Sequence, residues 1–278
     1  MSLDLLNGDC LEVMKTLEDK SIDLIFCDLP YGQTSCKWDC PIDLDKFWIE
    51  VMRIKKLNTP IFMTTTTKFG VSLINSAPKK CFFRYDLVWV KSAPTGFLSA
   101  KRAPMRKHEM VYVFYEKLPL YDLSSHQHKF IKATDKGEIS GDIYCKADRV
   151  DGKKGQYTPP LPVSVVKEEK TQISKAQDKS LYGASNGGTI GNVHGTNYDP
   201  PLPTSMLEVK STRGKHSTEK PVALMEWIFK YYSKEGDTIL DPTMGSGSTG
   251  VACRNMNRNF IGIEMDEDIF KTAFARLG

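Results

Sequence analysis

The chain has 278 residues, 40% of them hydrophobic and 26% charged, with a formal net charge of +4. That composition belongs to a soluble globular protein, either one large domain or a domain with a sizeable insertion. No apolar run reaches the roughly 18–20 residues of a membrane span, and Met1-Ser-Leu-Asp has neither a basic n-region nor a signal-peptide core. The seven cysteines are an odd number, mostly in apolar segments and without paired metal spacing; Cys36 and Cys40 come nearest, but no second pair or histidine completes a zinc site. A reducing cytoplasm is the expected compartment, and no metal is expected.

Leu3 to Leu6 reads as a short strand ending at Asn7-Gly8-Asp9, and Cys10 to Leu17 has the i, i+3, i+4, i+7 spacing of an amphipathic helix. Residues 22–32 follow, Ile-Asp-Leu-Ile-Phe-Cys-Asp-Leu-Pro-Tyr-Gly. Leu24 to Cys27 has strand length and no helical period, which predicts a buried parallel strand ending at Asp28. Leu29 precedes a proline and is pushed to extended geometry, so its carbonyl has a defined direction. A carboxylate, a directed carbonyl and the flat ring of Tyr31 suit one task, gripping the exocyclic amino group of a planar base. The plain alternative is a strand followed by an ordinary turn, which Asp, Pro and Gly also favour.

Asp43 is placed to N-cap a helix whose apolar stripe is Leu44, Phe47, Trp48 and Val51. Pro60 to Thr65 reads as a strand, Lys68 to Asn75 as a helix, and Phe83 to Val90 and Met110 to Tyr115 as strands; the alternation predicts a mostly parallel α/β sheet. Between Lys91 and His108 lie Lys91, Lys101, Arg102, Arg106 and Lys107 with no acidic residue, a stretch able to neutralise phosphates. Residues 117–212 are polar and weakly periodic, too long for a loop, and read as an inserted region. His126 and His128 read there as exposed polar residues, and Asp199-Pro-Pro-Leu202 as a proline-rich loop, since no apolar strand precedes it. Fifteen Lys and Arg against eleven Asp and Glu between Lys117 and Lys215 supply the whole net charge.

Regular structure resumes at His216-Ser-Thr-Glu-Lys-Pro221, with Pro221 suited to the first helical position and Leu224, Met225, Ile228 and Tyr231 on one face. A strand, Thr238 to Asp241, leads into Pro242-Thr-Met-Gly245-Ser-Gly247-Ser-Thr-Gly250 and a helix from Ser248 to Met256; Phe260 to Ile263 is a further strand ended by Glu264, and a last helix reaches Arg276. Gly245-x-Gly247-x-x-Gly250 between strand and helix, with Glu264 nineteen positions after the first glycine, is a nucleoside-binding pattern: the glycines let the backbone approach a ligand, and the acid accepts ribose hydroxyls. The chain continues only fourteen residues past Glu264, too few for a second mononucleotide half. A half-sized nucleoside cofactor completed by Asp9 and Asp28, beside an amino-group clamp, suggests S-adenosylmethionine and methyl transfer.

Asp28-Leu-Pro-Tyr31, Asp241-Pro-Thr-Met-Gly-Ser-Gly247, Gly262-Ile-Glu264 and His216-Ser-Thr-Glu-Lys-Pro221 resemble the motifs of amino-methylating DNA methyltransferases, in the order of the permuted β class. The resemblance covers roughly residues 3–116 and 213–278. It implies a Rossmann-like α/β fold with a seven-stranded sheet, a catalytic and S-adenosylmethionine-binding domain formed by 1–116 and 213–278, and target recognition within 117–212. Catalysis falls to Asp28, Leu29, Pro30 and Tyr31. Cofactor contacts fall to Asp9 (at the adenine amino group), Cys10, Asp28, Thr218 and Lys220 (at the methionine end), Asp241, Pro242, Gly245, Ser246, Gly247, Glu264 and Met265. DNA contacts fall to Lys91, Lys101, Arg102, Arg106 and Lys107. The family usually carries two prolines between acid and aromatic, and Leu29 replaces the first, which keeps the carbonyl but frees its φ.

The expected partner is double-stranded DNA, and a homodimer and a cognate restriction endonuclease accord with the resemblance. The preferred reaction is methylation of adenine N6, because Asp with Tyr is associated with adenine in the family. The N4 of cytosine is the alternative. RNA or glutamine methylation fits less well, since those relatives place the cofactor loop first. A DNA-binding module without catalysis would not need the intact glycine loop.

Overall fold

The computed structural model describes residues 1–32, 40–130, 196–199, 202–210 and 219–278. It divides into two units, Met1–Leu123 with Ser205–Gly278, and Ser124–Thr204. The larger unit holds an eight-stranded sheet. Its strands are β1 (Leu3–Asn7), β2 (Leu24–Cys27), β3 (Ile61–Thr65), β4 (Phe83–Thr95), β5 (Arg106–Phe114), β8 (Met206–Leu207), β9 (Thr238–Asp241) and β10 (Asn259–Glu264). Its helices are α1 (Cys10–Met14), α2 (Leu44–Ile54), α3 (Thr67–Ser76), α4 (Val222–Tyr232), α5 (Ser248–Asn255) and α6 (Glu267–Leu277).

The strand order is β1-β10-β9-β2-β3-β5-β4-β8. Neighbours from β1 to β3 are parallel, and β5 runs antiparallel to both β3 and β4. From β2 the chain moves to β3 on one side, and from β9 to β10 on the other. The carboxyl ends of β2 and β9 therefore flank the switch point where such sheets hold ligands. Asp28 follows β2 and Asp241 ends β9, so both acids come to that crevice.

Both faces of the sheet are covered. Leu24, Phe26, Phe62, Val111, Val113, Leu87 and Trp89 pack with α4, α5 and α6. Ile25, Cys27, Ile61, Met63, Leu240 and Ile263 pack with α1 and α2 on the other face. This two-sided burial explains why β2 and β3 read as continuous apolar runs. Asp43 caps α2 by accepting from Lys46 N at 3.2 Å.

The structure departs from the sequence expectation in several places. Eight strands replace seven, because Met206–Leu207 pairs with β4; Val88 N donates to Ser205 O at 2.7 Å and Trp89 Nε1 to Val209 O at 2.8 Å. Residues 205–210 thus belong to the larger unit, although their composition resembles that of the insert. Strand β4 continues to Thr95 and β5 begins at Arg106, so the basic stretch is the outer part of a long hairpin. Pro221 stands just before α4, with φ −67° and ψ 134°, rather than inside its first turn. In the smaller unit β6 (Gln127–Phe130) pairs antiparallel with β7 (Thr196–Asp199). Asp199 therefore ends a polar strand rather than lying in a loop; Pro200 and Pro201 lie outside the described residues. Among the described residues no cluster of three or more His, Cys, Asp or Glu could hold a metal, and no helix is long and apolar enough to cross a membrane.

Gly250 in α5 reports how tightly this unit is packed. Glycine in a helix ordinarily costs about 1 kcal/mol relative to alanine. A Cβ at Gly250 would lie 2.6 Å from Leu277 Cδ1 and 2.8 Å from Phe260 Cε1, and Phe260 is fully buried. Overpacking of about 1–3 kcal/mol outweighs the propensity gain. Gly250→Ala is expected to lower the urea midpoint, and a raised midpoint would show that α6 yields freely.

Candidate active site

The alternation of strand side chains carries apolar stripes on the face covered by α4–α6 out to the carboxyl edge, where they turn polar. Leu24 and Phe26 lead to Asp28, Phe62 to Thr64, Val113 and Val111 to Glu109, and Leu87 and Trp89 to Lys91. Lys220 reaches the same place from the segment before α4.

Asp28 Oδ1 accepts from the Tyr31 hydroxyl at 3.0 Å and from the Thr64 hydroxyl. Its Oδ2 accepts from Lys220 Nζ at 2.6 Å. Lys220 Nζ also stands 3.5 Å from Glu109 Oε2, and Lys91 Nζ pairs with Glu109 Oε1. The four charged side chains are 11–28% exposed, two positive and two negative, so the group is neutral. At its distance Lys220 is ion-paired with Glu109 Oε2 without a hydrogen bond; that buried oxygen has no hydrogen-bond donor. Burial works against the Lys220 charge, but Asp28 and Glu109 more than offset it and raise its pKa. Burial, then the charge of Asp28, pushes the Tyr31 phenol well up, so it stays a donor. Its ring packs on Phe69, centroids 5.2 Å apart. Leu29 is 2% exposed within the core beneath α1 and α2. That burial anchors the turn where a second proline would have locked it.

At the other side of the crevice, Asp241 is 2% exposed and uses both oxygens internally, on Thr243 N at 3.1 Å and the Thr249 hydroxyl at 2.5 Å. It fastens the glycine loop through these two hydrogen bonds. Pro242 and Cys10 are likewise buried. Glu264 takes Gly245 N at 3.1 Å and Asp266 N at 2.8 Å, and burial raises its pKa. Asp9 caps α1 through Leu11 N at 2.8 Å, and Gly8 N donates to Glu264 O at 3.0 Å, which ties β1 to the end of β10. Met265 is 72% exposed. Thr218 lies outside the described residues.

Several residues at the site were not singled out from sequence. Thr64 read only as a strand position, and Glu109 lay just before the strand expected at Met110 to Tyr115. Glu219 read only as part of its motif, yet its Oε1 accepts from Arg276 Nη1 at 2.6 Å and Ser248 Oγ at 2.8 Å, and Arg276 also reaches Ser246 O at 3.3 Å. The segment before α4 is thereby clamped to the glycine loop and α6. Lys220 proves to be seated on Asp28. Lys91 lies on the face of Leu87 and Trp89, is 13% exposed and is paired with Glu109. Lys101, Arg102, Arg106 and Lys107 are exposed.

Burial raises the pKa of Asp241 from 3.8 to about 7; its two hydrogen bonds oppose the shift, and Asp28 and Glu264 add to it. The folded state keeps a proton that the unfolded chain releases, so this group's contribution to stability falls as pH rises from about 4 to about 7. Asp241→Asn removes the titration while offering an acceptor to Thr243 N and a donor to Thr249. Urea midpoints across that window are expected to decline less steeply in Asp241→Asn than in the parent. Parallel declines would place the titration elsewhere.

A family model described as DNA methylase, covering N6 and N4 methyltransferases, matches residues 22–275. The type II methyltransferase M.HpaI of Haemophilus parainfluenzae is 24% identical over 100% of this chain and 74% of its own length. M.HinfI of Haemophilus influenzae is 26% identical over 98% and 67%, and M2.DpnII of Streptococcus pneumoniae is 47% identical over 25% of this chain and 26% of its own. Among solved structures, the M1.HpyAVI–SAM complex aligns over 99% of this chain and 100% of its own, at TM-score 0.57 and 20% identity. The cytosine-N4-specific PvuII DNA methyltransferase aligns over 100% and 87%, at 0.62 and 12%. These two likenesses concern the fold. With the motifs gathered at one sheet edge and the family model spanning most of the sequence, the chain belongs to the DNA methylase family of N6 and N4 methyltransferases.

Proposed function

We propose that the chain is a site-specific DNA methyltransferase that uses S-adenosylmethionine to methylate the exocyclic N6 of an adenine turned out of the duplex. The observation that carries this reading is the position of Asp28-Leu-Pro-Tyr31 on one side of the switch-point crevice, opposite the glycine loop. The loop residues fit the nucleoside end of such a cofactor. Gly245 has φ +54°, and a Cβ added there meets no atom within 4 Å, so open space adjoins its backbone. Glu264 ends β10, and Asp9 caps α1 just past the neighbouring β1, with carboxylates suited to ribose hydroxyls and an adenine amino group. The cofactor, when bound, supplies an electrophilic sulfonium methyl.

The chain's own residues supply position and electron density. An exocyclic amine is a weak nucleophile because its lone pair is delocalised into the ring. Asp28 Oδ2 and the Leu29 carbonyl each accept one of its N–H bonds, which localises the pair. Lys220 must then leave Oδ2, and Glu109 Oε2, without a hydrogen bond at present, receives its ammonium. After transfer the nitrogen carries one proton too many, and Asp28 accepts it. Alignment contributes more than base strength here. Turning the base out costs a few kcal/mol, of which stacking on an aromatic such as Tyr31 returns roughly 1–3 kcal/mol.

Methylation of cytosine N4 is the second reading, favoured by the fold likeness to the PvuII enzyme and served by the same clamp. The type II relatives M.HpaI and M.HinfI support a companion restriction endonuclease. The test is transfer of labelled methyl to unmethylated genomic DNA followed by nucleoside mass spectrometry. N6-methyladenine is expected, falling by about 100-fold or more in Asp28→Ala, the scale of losing a principal polar contact in a transition state. N4-methylcytosine would overturn the choice of base, and no labelled DNA would overturn the reading.

A further inference from the structure

The hairpin of β4 and β5 has a tip that the clamp and the glycine loop do not use. Phe97 is 82% exposed and Leu98 101%. They form a one-turn 3-10 helix after Gly96, whose left-handed φ of +92° swings the chain outward. Residues 100–108 are exposed and include Lys101, Arg102, Arg106 and Lys107 with no acid. Scattered exposed apolar residues need no explanation, but two adjacent ones at the end of a basic arm are different. Neither is used for packing, and each keeps apolar area in water at about 25 cal/mol per Å².

Strand register fixes where this arm points. Met110 of β5 lies opposite Thr65, the last residue of β3, and Arg106 is four residues farther out, about 14 Å at ~3.4 Å per residue. The arm therefore projects past the same sheet edge that carries Asp28. A duplex presenting a base to Asp28 lies across this edge, within reach of the arm.

We infer that Phe97 and Leu98 are a wedge that enters the DNA base stack beside the target and holds it open, while the exposed basic residues of the arm neutralise the flanking phosphates. Apolar side chains between base steps serve this purpose by replacing lost stacking with buried apolar surface. The inference rests on the methyltransferase reading and adds to it the group that offsets unpairing. A wedge is needed only when the target base is paired, and that distinguishes it from a general DNA contact.

The test compares full-length protein with Phe97→Ser/Leu98→Ser, whose exposed positions leave the thermal midpoint unchanged. Substrates are duplex oligonucleotides bearing the site mapped on methylated genomic DNA, either fully paired or with the target base opposite a mismatch. The double variant is expected to lose about tenfold or more in kcat/KM on the paired duplex, the order of a lost unpairing contribution. It should come within about twofold of the parent on the mismatched duplex, where unpairing is already partly done. Equal activity on paired DNA, or an equal loss on both substrates, overturns the wedge while the methyltransferase reading stands. Parent protein that binds phosphatidylserine–phosphatidylcholine vesicles through these two residues, with DNA activity untouched by their loss, also overturns it. A parent that methylates neither duplex defeats the methyltransferase reading itself, and the wedge falls with it.

Discussion

Both oxygens of the Asp28 carboxylate are occupied, and much of the site depends on how. Tyr31 and Thr64 hold Oδ1, and Lys220 holds Oδ2. Two carboxylates and two ammonium groups sit together with little water, an arrangement that is costly unless every charge has a partner. The partners come from β2, β3, β4, β5 and the segment before α4, so the correct register of four strands is a condition for electrical balance. The same balance limits what can happen on binding. A neutral amino group can take Oδ2 only if the displaced ammonium finds another acceptor, and Glu109 Oε2 lies 3.5 Å away.

Residues 219 and 220 join the two halves of the crevice. Glu219 is fastened to Ser248 and Arg276 beside the glycine loop, and Lys220, the next residue, to Asp28. A displacement of the loop is therefore felt at the carboxylate through one peptide unit. Asp241 secures the same loop from beneath with both its oxygens, and Gly250 lets α5 settle against Leu277 and Phe260. The rigidity of the nucleoside side and the electrostatics of the clamp are properties of one connected structure.

What could be read from the sequence was what is local in it. The tetrapeptide, the glycine loop and Glu264 are contiguous patterns, each bounded by strand or helix signals, and the structure assembles them at one edge. Thr64, Glu109 and Arg276 carry no such mark, because they enter the site through strand pairing and helix packing between distant parts of the chain. Lys91 shows the converse. A run of basic residues reads as a charged surface, yet period-2 alternation puts Lys91 on the face of Leu87 and Trp89, where Glu109 on the neighbouring strand and the Trp89 ring receive its charge. The edge strand at Met206 was hidden for a similar reason: two residues of pairing leave no periodicity to detect.

The most direct measurement is a crystal structure of the protein with S-adenosylhomocysteine and a duplex carrying the target site. The expected result is an adenine amino nitrogen within hydrogen-bonding distance of Asp28 Oδ2 and the Leu29 carbonyl, with Lys220 Nζ moved onto Glu109. A base seated in the crevice while Lys220 still holds Asp28 Oδ2, with the amino group bonded elsewhere, would contradict the exchange of partners on which the mechanism stands.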